Sequence, residues 1–308
     1  MNTLKAWGYF LLSWGSNLLS LRAVAAILAT FGGLWLCVEI ADYFFRDTGI
    51  PAQIQHSWKL FFIIGLMAAG LQCRPRNKIS YQLRGRDVSI EIFVGDLFAM
   101  PGSLVIGTNT TFDTHVSLSL ISERSVQGQF TKKYYSSEDQ LNRDLNASLI
   151  HEIHEDLAGH RIGKSKKYQI GTCVRLDPKG RTAYFIAISE INEHGVCSGS
   201  VEGLQIGLSK LWEFIRRRGS LDGIAMPILG TGFGRITQKR EQVLHEIIRS
   251  FIAACSESIL ADRLTIVISP RDLVKHKISL NELDEFLKLQ CRYTEFAPAG
   301  GRARGTAV

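Results

Sequence analysis

The six cysteines (Cys37, Cys73, Cys173, Cys197, Cys255 and Cys291) include no CxxC pair and are spread across the chain. Such spacing speaks against a structural zinc site and against a disulfide framework, and it fits a reducing compartment. A His-Glu-x-x-His motif is lacking too. The nearest approach, HEIHEDLAGH from His151 to His160, has its second histidine three residues after the first. No metal ligand is expected there, and the segment reads as the polar side of a helix. A secretory signal is not expected either: the first apolar stretch has no small-residue cleavage site before a polar start, and a second apolar stretch soon follows. The formal charge is +7 and the pI about 9.1, yet the basic residues do not gather into a nucleic-acid footprint. Their densest cluster, Arg74, Arg76, Lys78, Arg84 and Arg86, directly follows an apolar stretch and reads as a juxtamembrane flank.

What the N-terminal quarter does hold is apolar sequence. Leu4, Trp7, Phe10, Leu11, Trp14, Leu18 and Leu21 recur at helical spacing, as in an interfacial helix. Ala23 to Val38 is uncharged, and Ile40, Ala41 and Tyr43 to Phe45 extend it towards the roughly 20 residues that a bilayer requires. A second run, Trp58 to Leu71, contains Lys59 and reaches only about 21 Å at ~1.5 Å per residue. It crosses if Ile54 to Ser57 are included and Lys59 snorkels; the alternative is a buried helical hairpin. If both runs span, the acidic connection (Glu39, Asp42, Arg46, Asp47) and the basic flank put the N-terminus and the C-terminal domain in the cytoplasm. The expected domains are an interfacial helix and transmembrane hairpin over 1–79, an α/β domain over 80–296, and a disordered tail over 297–308.

After Ser80 the pattern is that of a globular α/β domain. Val88 to Val94, Ser103 to Gly107, Gln169 to Leu176, Thr182 to Ser189, Gly223 to Leu229 and Leu264 to Ile268 read as strands. Leu141, Leu145, Leu149, Ile153 and Leu157 predict one helix; Leu204, Leu208, Leu211, Trp212 and Ile215 predict another, stopped by Gly219. Thr237 is the expected cap of a third, and Ser279 with Glu282 makes a capping box for a fourth. Alternating strands and helices mean a largely parallel sheet covered by helices.

Four segments are placed to carry chemistry. In MPILGTGFGR, Met226 to Arg235, a strand runs into three glycines within five residues, which suits backbone contact with phosphate or simply a tight turn. In FVGDL, Phe93 to Leu97, Asp96 can accept hydrogen bonds from an adenine or a ribose, or can cap the next turn. GTNTTFDT, Gly107 to Thr114, supplies Thr108, Asn109, Thr110 and Phe112 directly after a strand. SVQGQF, Ser125 to Phe130, sets Gly128 between two glutamines and beside Phe130, an aromatic able to stack on a base.

Strand ends carrying GD, GTNT and GTGFG resemble the macro domain, an ADP-ribose-binding fold, over about residues 86–270. The resemblance implies a macro-like α/β/α domain with a mixed, mostly parallel sheet. Asp96 would contact the adenine, and Gly230, Thr231, Gly232, Phe233 and Gly234, followed by Arg235, would wrap the diphosphate and distal ribose. Thr108, Asn109, Thr110, Phe112, Gly128, Gln129 and Phe130 complete the expected ligand rim. The family's usual Asn-Ala-Ala-Asn segment is GTNT here, and SVQGQF stands where a triple-glycine loop is usual. Those segments carry the residues of macro-domain hydrolases, so a sensor is expected, with no catalytic residue, cofactor or metal. A hydrolase would have to draw on Asn109, Asp113 or Gln129 to activate water; a membrane scaffold for a protein partner is the other alternative.

Two membrane segments joined to a divergent macro domain are similar to the membrane effectors of Thoeris-type bacterial anti-phage defence, in which a partner TIR-domain enzyme makes a signalling nucleotide from NAD. This similarity implies a ligand such as histidine-linked ADP-ribose, a functional link to a TIR enzyme, contact with inner-membrane lipid, homo-oligomers, and membrane damage as the outcome.

Overall fold

The computed structural model describes residues 21–45, 58–72, 77–116, 120–157, 163–192, 196–230 and 236–294, in two compact units, Met1–Asn77 and Lys78–Val308. The expected interfacial helix, save Leu21, the Ile54–Ser57 extension and the tail from Ala297 lie outside the described residues.

In the first unit, α1 (Leu21–Phe45) and α2 (Trp58–Gln72) pack against each other, with Gly65 close enough to α1 that a Cβ there would lie 3.5 Å from the Ile27 carbonyl oxygen. Ala26, Phe61 and Ala69 are buried, whereas Leu28, Met67 and Leu71 are 65, 65 and 73% exposed. Large aliphatics facing outward invert the pattern of a water-soluble helix pair, and alanines with Gly65 contribute to the contact between the helices. Among the described residues, Ala23–Phe44 is the one helical stretch long and apolar enough to cross a bilayer. The expectation of two spans therefore meets a limit at α2, whose 15 residues cover about 22 Å at ~1.5 Å per residue against a hydrocarbon core of about 30 Å.

The second unit is a three-layer α/β/α domain. Its eight-stranded sheet has the order β1 (Lys78–Gln82), β2 (Ser89–Val94), β10 (Arg263–Ile268), β9 (Ile224–Pro227), β3 (Ser103–Asn109), β7 (Ala183–Ile191), β6 (Cys173–Leu176), with β8 (Cys197–Ser198) also on β7. β2, β10, β9, β3 and β7 run parallel; β1, β6 and β8 are antiparallel additions. A mixed, mostly parallel sheet is thus what forms. Alternate side chains divide the core. Val105, Met226 and Ile266 pack under α5 (Val201–Arg218), α6 (Arg240–Glu257) and α8 (Leu280–Tyr293). Leu104, Ile106, Ala225 and Val267 face α3 (Val126–Tyr134) and α4 (Glu138–Ser148). Burial on both faces is why these central strands read as near-continuous apolar runs. α7 (Pro270–Lys275) follows β10. Ser125, Ser137, Ser200, Ser269 and Ser279 each cap a helix by accepting the amide three residues on, Glu282 in the last case as expected.

Three expectations are corrected. The helix expected through Leu157 ends at Ser148: beyond Leu149 the periodic residue Ile153 finds no core and is 78% exposed. The chain instead forms β4 (His154–Asp156), antiparallel to β5 (Lys166–Tyr168), so His154 lies on a strand and its ring packs against Tyr168. The strand expected over Gln169 to Leu176 is interrupted by a turn at Gly171, φ +89°, that separates β5 from β6. Thr237 does not cap α6; Lys239 holds that position without a side-chain bond, and the Thr237 hydroxyl donates to Gln238 Oε1.

Candidate functional site

The parallel strands deliver their carboxyl ends to one edge of the sheet, where ligands of open α/β folds bind. β2 ends in Gly95-Asp96, β3 in the loop from Thr110, and β9 leads to Gly230. Gly95 donates to the Ile268 carbonyl at the end of β10. α3 joins the same edge through Gln127 Nε2, which donates to the Asp113 carbonyl at 2.7 Å. The described parts of the four segments singled out in the sequence therefore share this edge.

Their side chains do not play equivalent parts. Asp96 is exposed, and its Oδ1 accepts from Phe98 N at 3.0 Å, capping a short 3-10 turn, Leu97–Ala99, as one of its two sequence readings had it. Gly230 has φ +71°, a conformation that favours glycine, and its carbonyl accepts from Ile236 N at 3.0 Å. That bond closes the neck of the 230–236 loop; Thr231, Gly232, Phe233, Gly234 and Arg235 lie outside the described residues.

At the end of β3 the register shifts between Thr108 and Asn109, and a buried polar knot follows. Asn109, 2% exposed, donates from Nδ2 to Asp113 Oδ2 at 3.1 Å, while its Oδ1 accepts from the Asp113 amide at 3.1 Å and the Thr111 hydroxyl at 3.2 Å. Thr111 Oγ1 also lies 2.5 Å from Asp113 Oδ2. Asp113, 0% exposed, accepts at Oδ1 from Lys164 N at 2.8 Å. Asn109 is thereby spent on its own loop. Cys197 Sγ, 4.0 Å from Asn109 Nδ2, closes the far side.

Phe130 is corrected as a surface for a base, and Phe112 as a side chain of the rim. Both are 0% exposed: Phe112 packs edge-on against Tyr168 at 5.6 Å and Phe130 against Phe185 at 5.3 Å, and neither has a free face. Gly128 is likewise enclosed, since a Cβ there would lie 2.4 Å from the Ser122 carbonyl oxygen; the glycine admits the preceding loop. Thr108 and Thr110 are buried, and Gln129, half-buried, donates to the Arg124 carbonyl at 3.0 Å.

Sequence reasoning missed two contributors. Phe93 lays its ring over Gly95, where a Cβ would meet it at 2.2 Å. The Gly163–Lys164 strap arrives from 50 residues away and packs on Asp113. Burial pushes the Lys164 ammonium down to about 8, although the Asp113 carboxylate acts in the opposite direction. Its pKa falls on folding, so between pH 8 and the ordinary lysine value the folded state binds fewer protons than the unfolded one. Stability rises with pH through that window, and the cost of Lys164 is fully present below it. Lys164→Met is expected to melt higher than the parent chain at pH 7, with the difference closing by about pH 10. Paired thermal melts across this range check it; a pH-independent difference would refute the assignment.

The same edge of the sheet falls inside a family match: a model of the Thoeris protein ThsA macro domain covers residues 90–269. This chain belongs to that family. The matched ThsA macro segment runs from within β2 to the end of β10, so it contains every described rim residue, while β1, α7, α8 and both N-terminal helices lie beyond it. Thoeris protein ThsA of Bacillus amyloliquefaciens (strain Y2) is 25% identical over 220 residues, which cover 69% of this chain and 71% of that protein. Similar solved structures include the Oceanobacillus iheyensis macrodomain with ADP, 14% identical over 68% of this chain and 99% of the other, TM-score 0.47. The Trypanosoma brucei macrodomain in complex with ADP-ribose is 11% identical over 65% of this chain and 68% of the other, TM-score 0.41.

Proposed function

We propose that this ThsA-family macro domain senses an ADP-ribose-type nucleotide in Thoeris defence, and that the chain acts on the bacterial inner membrane once the nucleotide is bound. The observation that carries the reading is the convergence of the Gly95-Asp96 turn and the Gly230–Ile236 loop on the carboxyl edge of the sheet within the matched family segment. Asp96 supplies an exposed acceptor for an adenine amino group, and the glycine-rich sequence that follows Gly230 suits backbone contact with a diphosphate.

Sensing is favoured over hydrolysis by the state of the polar groups. Activating water requires a carboxylate or amide able to accept its proton or orient it. Asp113 and Asn109, the buried candidates, are committed to each other, to Thr111 and to Lys164. Membrane action is supported by the outward aliphatic faces of α1 and α2, and the acidic 39–47 and basic 74–86 flanks favour cytoplasmic placement of the N-terminus and the macro domain. In this reading both helices enter the bilayer, a TIR-domain enzyme supplies the nucleotide, histidine-linked ADP-ribose is the leading candidate, and several chains act together to breach the membrane.

Isothermal titration of the full chain in lipid nanodiscs with ADP-ribose and histidine-linked ADP-ribose tests the core of the proposal. Binding of either, without turnover on prolonged incubation, is the expected result. Failure of both to bind leaves a ThsA-type fold without this function and favours a scaffold role.

A further inference from the structure

β1 runs antiparallel to β2, with Lys78 opposite Phe93 and Gln82 opposite Ser89. The first residue of β1 therefore lies at the rim end of the sheet, beside the strand that ends in Gly95-Asp96. In sequence, only residues 73–77 separate Lys78 from the end of α2 at Gln72. The chain that leaves the apolar helices thus enters the macro domain at its ligand edge.

Lys78 is held in that place. Its Nζ lies 2.7 Å from Glu91 Oε1, which also accepts from the Ser80 hydroxyl at 3.2 Å, and Glu91 Oε2 accepts from Thr265 Oγ1 on β10 at 3.5 Å. The Glu91 side chain is only 11% exposed, against 49% for Lys78. Withdrawing the ammonium would leave a carboxylate enclosed in a sheet face with hydroxyl donors alone, which costs far more than breaking a solvated pair. Directly across from Lys78, Phe93 folds its ring on Gly95. A single pair of cross-strand neighbours connects the entry point of the chain to the turn that presents Asp96.

We propose that the Lys78–Glu91 pair, together with Phe93 folded on Gly95, is the latch that passes occupancy of the Gly95-Asp96 turn to the apolar helices. The inference rests on the sensor reading above. A ligand seated at Gly95-Asp96 bears on the Phe93 ring, and Phe93 shares its ladder position with Lys78. In this proposal β1 alternates between the pair made and the pair broken over the enclosed Glu91 carboxylate, and the ligand biases the two by its difference in affinity for them.

The test uses the full chain in phosphatidylcholine–phosphatidylglycerol liposomes with an entrapped dye, with nucleotide binding and dye release measured on the same preparation. The double variant Lys78→Met/Glu91→Gln removes both charges and leaves neither unpaired. It is expected to bind ADP-ribose or its histidine-linked form within about threefold of the parent chain, while the ratio of release with and without nucleotide falls by about tenfold. Lys78→Arg, which keeps the pair, and Gln82→Ala, at the far end of β1, are expected to retain the parental ratio. A double variant with normal binding and a parental ratio overturns the latch and leaves the sensor reading intact. One that loses binding together with release marks the pair as structural and also overturns it. A parent chain that binds neither nucleotide removes the sensor reading, and the latch with it.

Discussion

Asp113→Ala is expected to lower the unfolding free energy of the macro domain by about 3–5 kcal/mol, because it strips several buried donors of their acceptor at once. Asn109 Nδ2, the Thr111 hydroxyl and the Lys164 amide all bond to this carboxylate. None of them can turn to water where they sit, since Asn109 and Thr111 are buried and Gly163 closes over Asp113 Oδ1. For a domain of this size the loss corresponds to a fall of roughly 10 °C in melting temperature, readable by thermal denaturation of the full chain. Asp113→Asn sharpens the test. It keeps an acceptor for Lys164 N but sets an amide donor against Asn109 Nδ2, so it is expected to fall between parent and alanine. A change of under about 1 kcal/mol in the alanine variant would show that the knot does not organise the rim.

Gly230→Val is expected to weaken nucleotide binding by about 100-fold or more, corresponding to about 2.7 kcal/mol. Two independent costs converge on this position. Its φ of +71° is strained for any residue with a Cβ and more so for a β-branched one. A Cβ there would also lie 2.3 Å from Ile236 Cδ1, so the loop neck held by Ile236 N and the Gly230 carbonyl must open. The global fold is expected to survive, because Gly230 lies beyond the end of β9 at Pro227; circular dichroism separates loss of binding from loss of fold. Parental affinity in Gly230→Val would exclude the loop from the ligand site.

The two predictions sit on positions of very different visibility in the sequence. Gly230 is legible because three glycines after an apolar strand announce backbone approach. Asp113 could be named as a polar residue near the rim, but its role depends on Lys164, a residue 51 positions away that leads into β5, the partner of β4. Phe130 was legible as an aromatic beside glycine; that it faces Phe185 and not solvent follows from the helical phase of α3, in which Gln127, Phe130 and Thr131 share a buried face while Gly128 meets the preceding loop. The missed strand β1, KISYQ, does alternate, with Ile79 buried and Tyr81 partly buried, but two apolar positions in five residues do not stand out within a basic flank. The overlong helix is the converse error: Leu149, Ile153 and Leu157 keep the right period, but periodicity reports only what a helix would bury, not whether a core exists to receive it.

What the sequence determined by itself is what local physics dictates. The apolar lengths of α1 and α2, the alternation of strand and helix, the serine before α8, and the glycine-ended strands β2 and β9 follow from burial, capping and backbone freedom, and those terms act within a few residues. What only the tertiary structure decided is which polar groups remain available. Asn109 and Asp113 carry the chemistry of a water-activating pair, yet each is consumed by partners brought in by loop closure. Lys78 reads as one more basic flanking residue until antiparallel pairing sets it beside Phe93 and over buried Glu91. A hydrogen bond satisfied inside the fold is lost to the ligand, and that accounting closes only when distant segments meet.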